Sequence, residues 1–158
     1  MKNYDASQFV QRFSHVGICV TDIEKSQAFY AKGLGFHEGA SIKVENNYQN
    51  LLGIPGDMAF QSLFMRNGDM VIELIEFITP ELSPTTVPRP MNQVGLTHLS
   101  FRVRDVDTVS KALESLGGKI LHSTRTYEAQ FSGEVLFCTD LDGTRIELMA
   151  YPDNVIFA

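Results

Sequence analysis

Long apolar runs are missing from this 158-residue chain. None approaches the roughly 20 residues that a bilayer-spanning helix needs, which excludes a helical membrane protein. The first residues, Met1 to Phe9, hold no apolar core of the kind that directs export, so the cytoplasm is the expected compartment. Basic residues are in deficit: 13 Lys and Arg stand against 19 Asp and Glu, for a formal charge of −6 and a pI near 5.1. That balance offers no footprint for a phosphate backbone, and nucleic acid is not an expected partner. Cysteine is scarce. Cys19 and Cys138 both fall in strand-like runs and are read as buried reduced thiols, not a disulfide framework. Glycine-rich phosphate loops, a Ser-His-Asp order and Cys-x-x-Cys ligand pairs are absent as well.

What is present is a duplication. Ser14 to Gly35 aligns without a gap on Thr97 to Gly118, at an offset of 98 − 15 = 83 residues. The alignment matches His15 with His98, Val20 with Val103, Asp22 with Asp105 and Gly35 with Gly118. A second pair, Val71-Ile72-Glu73-Leu74 and Arg145-Ile146-Glu147-Leu148, closes each half with a strand. Four prolines between Pro80 and Pro90 permit neither a helix nor a central strand, and mark a linker. The chain therefore reads as an α+β protein of two repeated βαβββ modules, residues 12–79 and 95–151, joined by a proline-rich linker over 80–94. Together they are expected to form one domain, with a curved mixed sheet around a central cleft.

Periodicity places the pieces. Alternation over Phe13 to Val20 puts Val16, Ile18 and Val20 on one strand face and His15, Gly17 and Cys19 on the other. Thr21 with Glu24 reads as a capping box for a helix that buries Ile23, Gln27, Tyr30 and Leu34, with Gly33 and Gly35 at its end. The segment Glu45 to Asp57 is turn-rich and lacks a sustained pattern, and a loop of that length is often functional. Ala59 to Met65 and Met70 to Ile78 form a hairpin about Asn67-Gly68. In the second module a strand at Thr97 to Val103 leads to a helix capped by Asp105, with Val106, Val109, Leu113 and Leu116 inward. Strands follow near Lys119 to Arg125, Glu134 to Thr139 and Arg145 to Ala150.

His15 and His98 occupy equivalent places, and so do Glu73 and Glu147. A lone strand histidine or glutamate is ordinarily a half-exposed side chain, but here four recur in register, each among apolar neighbours. If the modules pack about a pseudo-twofold axis, the four converge. Two imidazoles and two carboxylates suit one divalent ion such as Zn, Ni, Co, Fe or Mn, and the carboxylates balance its charge. His37 and His122 break the register and read as surface or rim residues. Tyr48, Met58, Arg89 and Tyr127 are candidates for the mouth of a substrate pocket, with loop or rim packing as the plain alternative for each.

On these residues the chain resembles the vicinal oxygen chelate superfamily, the glyoxalase and bleomycin-resistance-like fold, over residues 12 to 151. The resemblance rests on S-H-V-G-I-C-V-T-D-I-E-K-S-Q-A-F-Y, L-G-F, M-V-I-E-L-I-E-F, T-H-L-S-F-R-V-R-D-V-D and D-L-D-G-T-R-I-E-L. It implies a metal held at His15, Glu73, His98 and Glu147, a set similar to bacterial glyoxalase I. Methylmalonyl-CoA epimerases are also similar, with Gln in place of Glu73. Both imply a lyase or isomerase that moves a proton at a carbon next to a metal-bound carbonyl or thioester, with Glu147 or Glu73 as the base. The glutathione-holding Arg and Asn of glyoxalase I are replaced by Cys19 and Phe77. The separate catalytic Glu of the epimerases is replaced by Gln61, which joins the candidates for substrate contact. Extradiol dioxygenases, an alternative, use two His and one Glu on iron(II), with a His and a Tyr near the positions of Gln130 and Phe137. A non-catalytic small-molecule binder of the same fold is a further alternative. Dimers are common in the resembled family, so a homodimer is expected.

Overall fold

The structure is a computed structural model and describes residues 6–82 and 89–155. Residues 83–88 of the expected linker lie outside the described residues. The first module runs β1 (Val16–Cys19), α1 (Ile23–Leu34), β2 (His37–Glu45), α2 (Gln49–Leu52), β3 (Ala59–Asn67) and β4 (Met70–Thr79). The second runs β5 (Leu99–Arg102), α3 (Val106–Ser115), β6 (Lys119–Ile120), β7 (Thr126–Glu128), β8 (Gly133–Thr139) and β9 (Arg145–Ala150). The first sheet is ordered β1-β4-β3-β2 and the second β5-β9-β8-β6, with β7 also on β8. In each, the opening strand is parallel to the closing strand and the other pairs are antiparallel. This is the mixed α+β architecture that the repeat implies, arranged as two sheets.

The registers repeat too. Val16 pairs with Ile72 and Gly17 with Glu73 in the first sheet; Leu99 pairs with Ile146 and Ser100 with Glu147 in the second. Where the halves differ, side chains explain it. The strand expected over Lys119 to Arg125 ends at Ile120, and a short turn over His122–Thr124 separates it from β7. The Phe137 N–H donates instead to the Thr124 hydroxyl (2.9 Å), which stands in for a strand partner. The patternless stretch after β2 contains the short α2, whose four residues are too few to show a helical period.

Helix caps differ by one residue from expectation in the first module. Asp22, not Thr21, caps α1, accepting from the Lys25 N–H (3.0 Å), and Asp105 caps α3 in the same way through Thr108 (2.6 Å). Thr21 is taken by the other module: its N–H and hydroxyl both donate to the Asp142 carboxylate, at 3.0 and 2.6 Å. The inward face of α1 is Ser26, Phe29, Tyr30 and Leu34, so Phe29 holds the place expected for Gln27. Gln27 is half-buried and donates to Glu38.

One buried cluster draws on both modules. It holds Phe29, Tyr30, Phe36, Ile72 and Leu74 from the first and Leu113, Leu136, Ile146 and Leu148 from the second. α1 packs on α3, and a Cβ at Gly33 would fall 2.4 Å from a Leu113 methyl, so a larger residue there would force the Leu113 side chain to move. Cys138 lies in this core with its thiol pushed up to about 12 by burial, whereas Cys19 is exposed, contrary to expectation. Both are free thiols. Among the described residues no helix is long and apolar enough to cross a membrane.

A polar bridge crosses the same core. The Tyr30 hydroxyl donates to Asp140 (2.8 Å), whose other oxygen accepts from the Asp142 and Thr144 N–H groups at 3.0 and 2.7 Å. Burial raises the Asp140 pKa above the usual carboxylate range, although these three hydrogen bonds pull the other way. The folded state therefore binds that proton more tightly than the unfolded chain. Stability is lost as pH rises from the ordinary carboxyl pKa, about 3.9, through the raised value. Asp140→Asn keeps an acceptor for the two N–H groups and removes the titration. Its stability relative to wild type is expected to grow with pH across that window, read from urea midpoints between about pH 4 and 7. A constant difference would refute the assignment.

Candidate metal centre

Each module builds a histidine–glutamate pair on the sheet face opposite its helix. His15 precedes β1 and Glu73 lies mid-β4; His15 Nε2 is 3.2 Å from Glu73 Oε2. His98 precedes β5 and Glu147 lies mid-β9, at 3.5 Å between the same atoms. The surroundings repeat as well. His15 Nδ1 shares a 2.9 Å hydrogen bond with the Ser14 hydroxyl, and His98 Nδ1 one of 2.9 Å with Thr97. The His15 ring stands edge-on to Phe64 and the His98 ring edge-on to Phe137, both with centroids 5.3 Å apart. In the tautomer whose Nδ1 proton points to the hydroxyl, Nε2 presents its lone pair on the side of the carboxylate in both. The donor set and its orientation fit a divalent ion.

Each carboxylate is anchored by a serine. Ser62 donates to Glu73 Oε1 (2.7 Å), the oxygen that His15 does not face, and Ser100 donates to Glu147 Oε2 (2.6 Å), the oxygen that His98 does face. These two serines sit at non-equivalent places, β3 and β5, so the repeat carried no signal for them. Ser14 and Thr97 do match in the alignment, each immediately before its histidine.

The two pairs stand apart within one chain. Among the described residues, no group of three or more His, Cys, Asp or Glu side chains is close enough to share an ion. The cause is the packing: the modules join through α1, α3 and the common core, and each pair lies on the other face of its own sheet. His15 and Glu73 line a hollow of about 340 Å³ made only by the first module. Glu147 lines one of about 470 Å³ made only by the second. His98 lines a third, about 250 Å³, between β1 and the starts of β5 and β9.

The other candidates divide. Tyr48 lines the hollow with His15, and Arg89 the one with His98, where its guanidinium donates to the Leu96 carbonyl (2.6 Å). Gln61 points to the opposite face of β3 and donates to Glu76 (2.7 Å), which in turn accepts from the Ile23 N–H at the start of α1. Tyr127 is 68% exposed, because β7 turns Thr126 and Glu128 into the second hollow and Tyr127 away from it. Met58 is fully buried in a satellite core with Val44 and Phe60, and His37 and His122 are exposed. Glu128 and Tyr151, not anticipated from sequence, share the second hollow with Glu147; the Tyr151 hydroxyl donates to Glu128. Burial, and then Glu128, push that phenol up to about 12.

The fold has known relatives. The sequence profile of the Glyoxalase/Bleomycin resistance protein/Dioxygenase superfamily matches residues 12–148. The chain belongs to this superfamily. YaeR of Escherichia coli (strain K12), described as an uncharacterized protein, is 32% identical over 139 residues, 88% of this chain and 95% of its own. The crystal structure of a glyoxalase family protein from Bacillus cereus superposes with a TM-score of 0.77 at 22% identity, covering 96% of this chain and 98% of that one. A mutant of the fosfomycin resistance protein FosX from Listeria monocytogenes, complexed with Mn(II) and 1S,2S-dihydroxypropylphosphonic acid, superposes at 0.61 and 18% identity over 91% and 93% of the chains. At these identities the structural likeness establishes the shared scaffold, and the superfamily that uses it includes metal-dependent members.

Proposed function

We propose that this protein is a divalent-metal-dependent lyase or isomerase acting on a small carbonyl compound, with His15, Glu73, His98 and Glu147 as its ligands. The observation that carries the reading is the doubled geometry: in each module an imidazole Nε2, fixed by a hydroxyl on its Nδ1, faces a carboxylate across 3.2 or 3.5 Å. Each pair is half of a four-ligand set, and the halves lie on separate outer faces. A homodimer in which the first module of one copy meets the second module of the other completes two sets at once.

A divalent ion held by these four residues would supply Lewis-acid polarisation of a carbonyl oxygen, which acidifies the adjacent carbon. Glu147 or Glu73 then takes that proton and returns it, with Ser100 and Ser62 keeping the carboxylates oriented. Phe64 and Phe137, edge-on to the two imidazoles, make that side of each pair apolar.

The test is elemental analysis of protein purified without added metal, followed by turnover assays on α-keto hemithioacetals, acyl-CoA thioesters and, under ferrous conditions, catechols. About one divalent ion per chain is expected, as is loss of turnover on chelation and recovery on reloading. Full activity without metal would remove the proposal. Failure to take up metal at all would favour a non-catalytic binder on the same scaffold.

A further inference from the structure

The hollow beside His15 and Glu73 has a wall that metal binding alone does not call for. Phe60, Phe64 and Phe77 form its floor, and Tyr48, Leu51 and Leu52, on and before α2, form its outer side. Apart from the Tyr48 hydroxyl its polar side chains are His15, Ser62 and Glu73, where the Ser62 hydroxyl is already committed to Glu73 and His15 faces the same carboxylate. None of the described residues that line it is Lys or Arg. Leu51 is 76% exposed at the rim, apolar surface that gains when something covers it. At about 340 Å³ the space is roughly twice a cavity that takes benzene.

We propose that this hollow is the specificity pocket for the uncharged, apolar body of the substrate, one aromatic ring or a branched chain of similar size, with the carbonyl oxygen directed to the His15–Glu73 end. The direction of the oxygen rests on the metal-dependent reading above; the apolar character of the pocket does not. An anionic group seated against the aromatic wall, away from the His15–Glu73 end, would lose water and meet no Lys or Arg of this module, so the pocket discriminates against phosphonates and carboxylates placed there.

Calorimetric titration with three probes tests it: hydroxyacetone, α-hydroxyacetophenone, and the para-carboxylate of the latter. All three carry the same oxygen pair, and they differ only in what enters the hollow. On metal-loaded protein α-hydroxyacetophenone is expected to bind about 10- to 100-fold tighter than hydroxyacetone, from burial of the ring. The para-carboxylate should lose that gain. Leu51→Lys and Leu52→Lys, at exposed or rim positions that tolerate charge, should narrow the ring preference and improve the para-carboxylate. Equal binding of hydroxyacetone and α-hydroxyacetophenone to metal-loaded protein, or tighter binding of the para-carboxylate, would overturn the proposal. The two readings fail separately. A ring preference that survives EDTA treatment supports this pocket, whereas an affinity for hydroxyacetone that EDTA leaves unchanged counts against a metal at its end.

Discussion

Neither His15→Ala nor His98→Ala is expected to retain a stoichiometric divalent ion or measurable turnover, yet an equimolar mixture of the two should recover about a quarter of the wild-type sites. Each histidine supplies one of four donors, and losing one leaves two carboxylates and a single imidazole, a set that holds a borderline ion far more weakly. The recovery follows from symmetry. If each centre takes His15 and Glu73 from one copy and His98 and Glu147 from the other, a mixed dimer has one centre with both lesions and one with none. Random exchange makes about half of the dimers mixed, so about a quarter of all centres are intact. Metal content after subunit exchange, read alongside circular dichroism to confirm folding, measures this directly. No recovery from a mixture whose subunits have demonstrably exchanged would overturn the centre shared between two copies. His37→Ala, at an exposed position outside the three hollows, serves as the control and should keep its metal.

Gly118→Ala should lower stability by about 3 kcal/mol, a fall in Tm of roughly 6 to 12 °C, with no role for the metal. A Cβ at this position would lie 2.8 Å from the Phe29 ring, 2.9 Å from the Thr139 carbonyl oxygen and 3.0 Å from that of Leu113. Two of the three neighbours are backbone atoms, which cannot rotate aside. The substitution pries at the contact between α3, β8 and the first module's helix. Gly35→Ala, its partner in the repeat, should cost less, about 1 to 2 kcal/mol. Gly35 is needed for a left-handed turn, φ +73°, that ends α1, and the nearest atom a Cβ would meet is an Asn67 side-chain nitrogen at 3.6 Å. Thermal unfolding of the two variants side by side separates crowding from backbone strain.

That pair shows how the repeat reads and where reading stops. The alignment matches Gly35 with Gly118, but the left-handed residue in the second half is Gly117, and Gly118 is glycine for want of space. Identity at matched positions marks equivalent topology; it does not say which physical demand each residue meets. Thr21 makes the same point, since local spacing suits it as a cap, and its real partner, Asp142, comes from a turn more than a hundred residues away.

By itself the sequence determined the duplicated βαβββ order, the strand faces and the pairing of one histidine with one glutamate per module. Those follow from short-range periodicity, repeated twice at a constant offset, and need no knowledge of how the halves meet. Tertiary structure alone decided that the two pairs lie on separate faces, that Gln61 and Tyr127 turn away from the hollows, and that Ser62, Ser100, Glu128 and Tyr151 stand beside the carboxylates. Such arrangements depend on helix-to-helix packing across a shared core and on contacts between distant strands, and no local pattern in the chain encodes them.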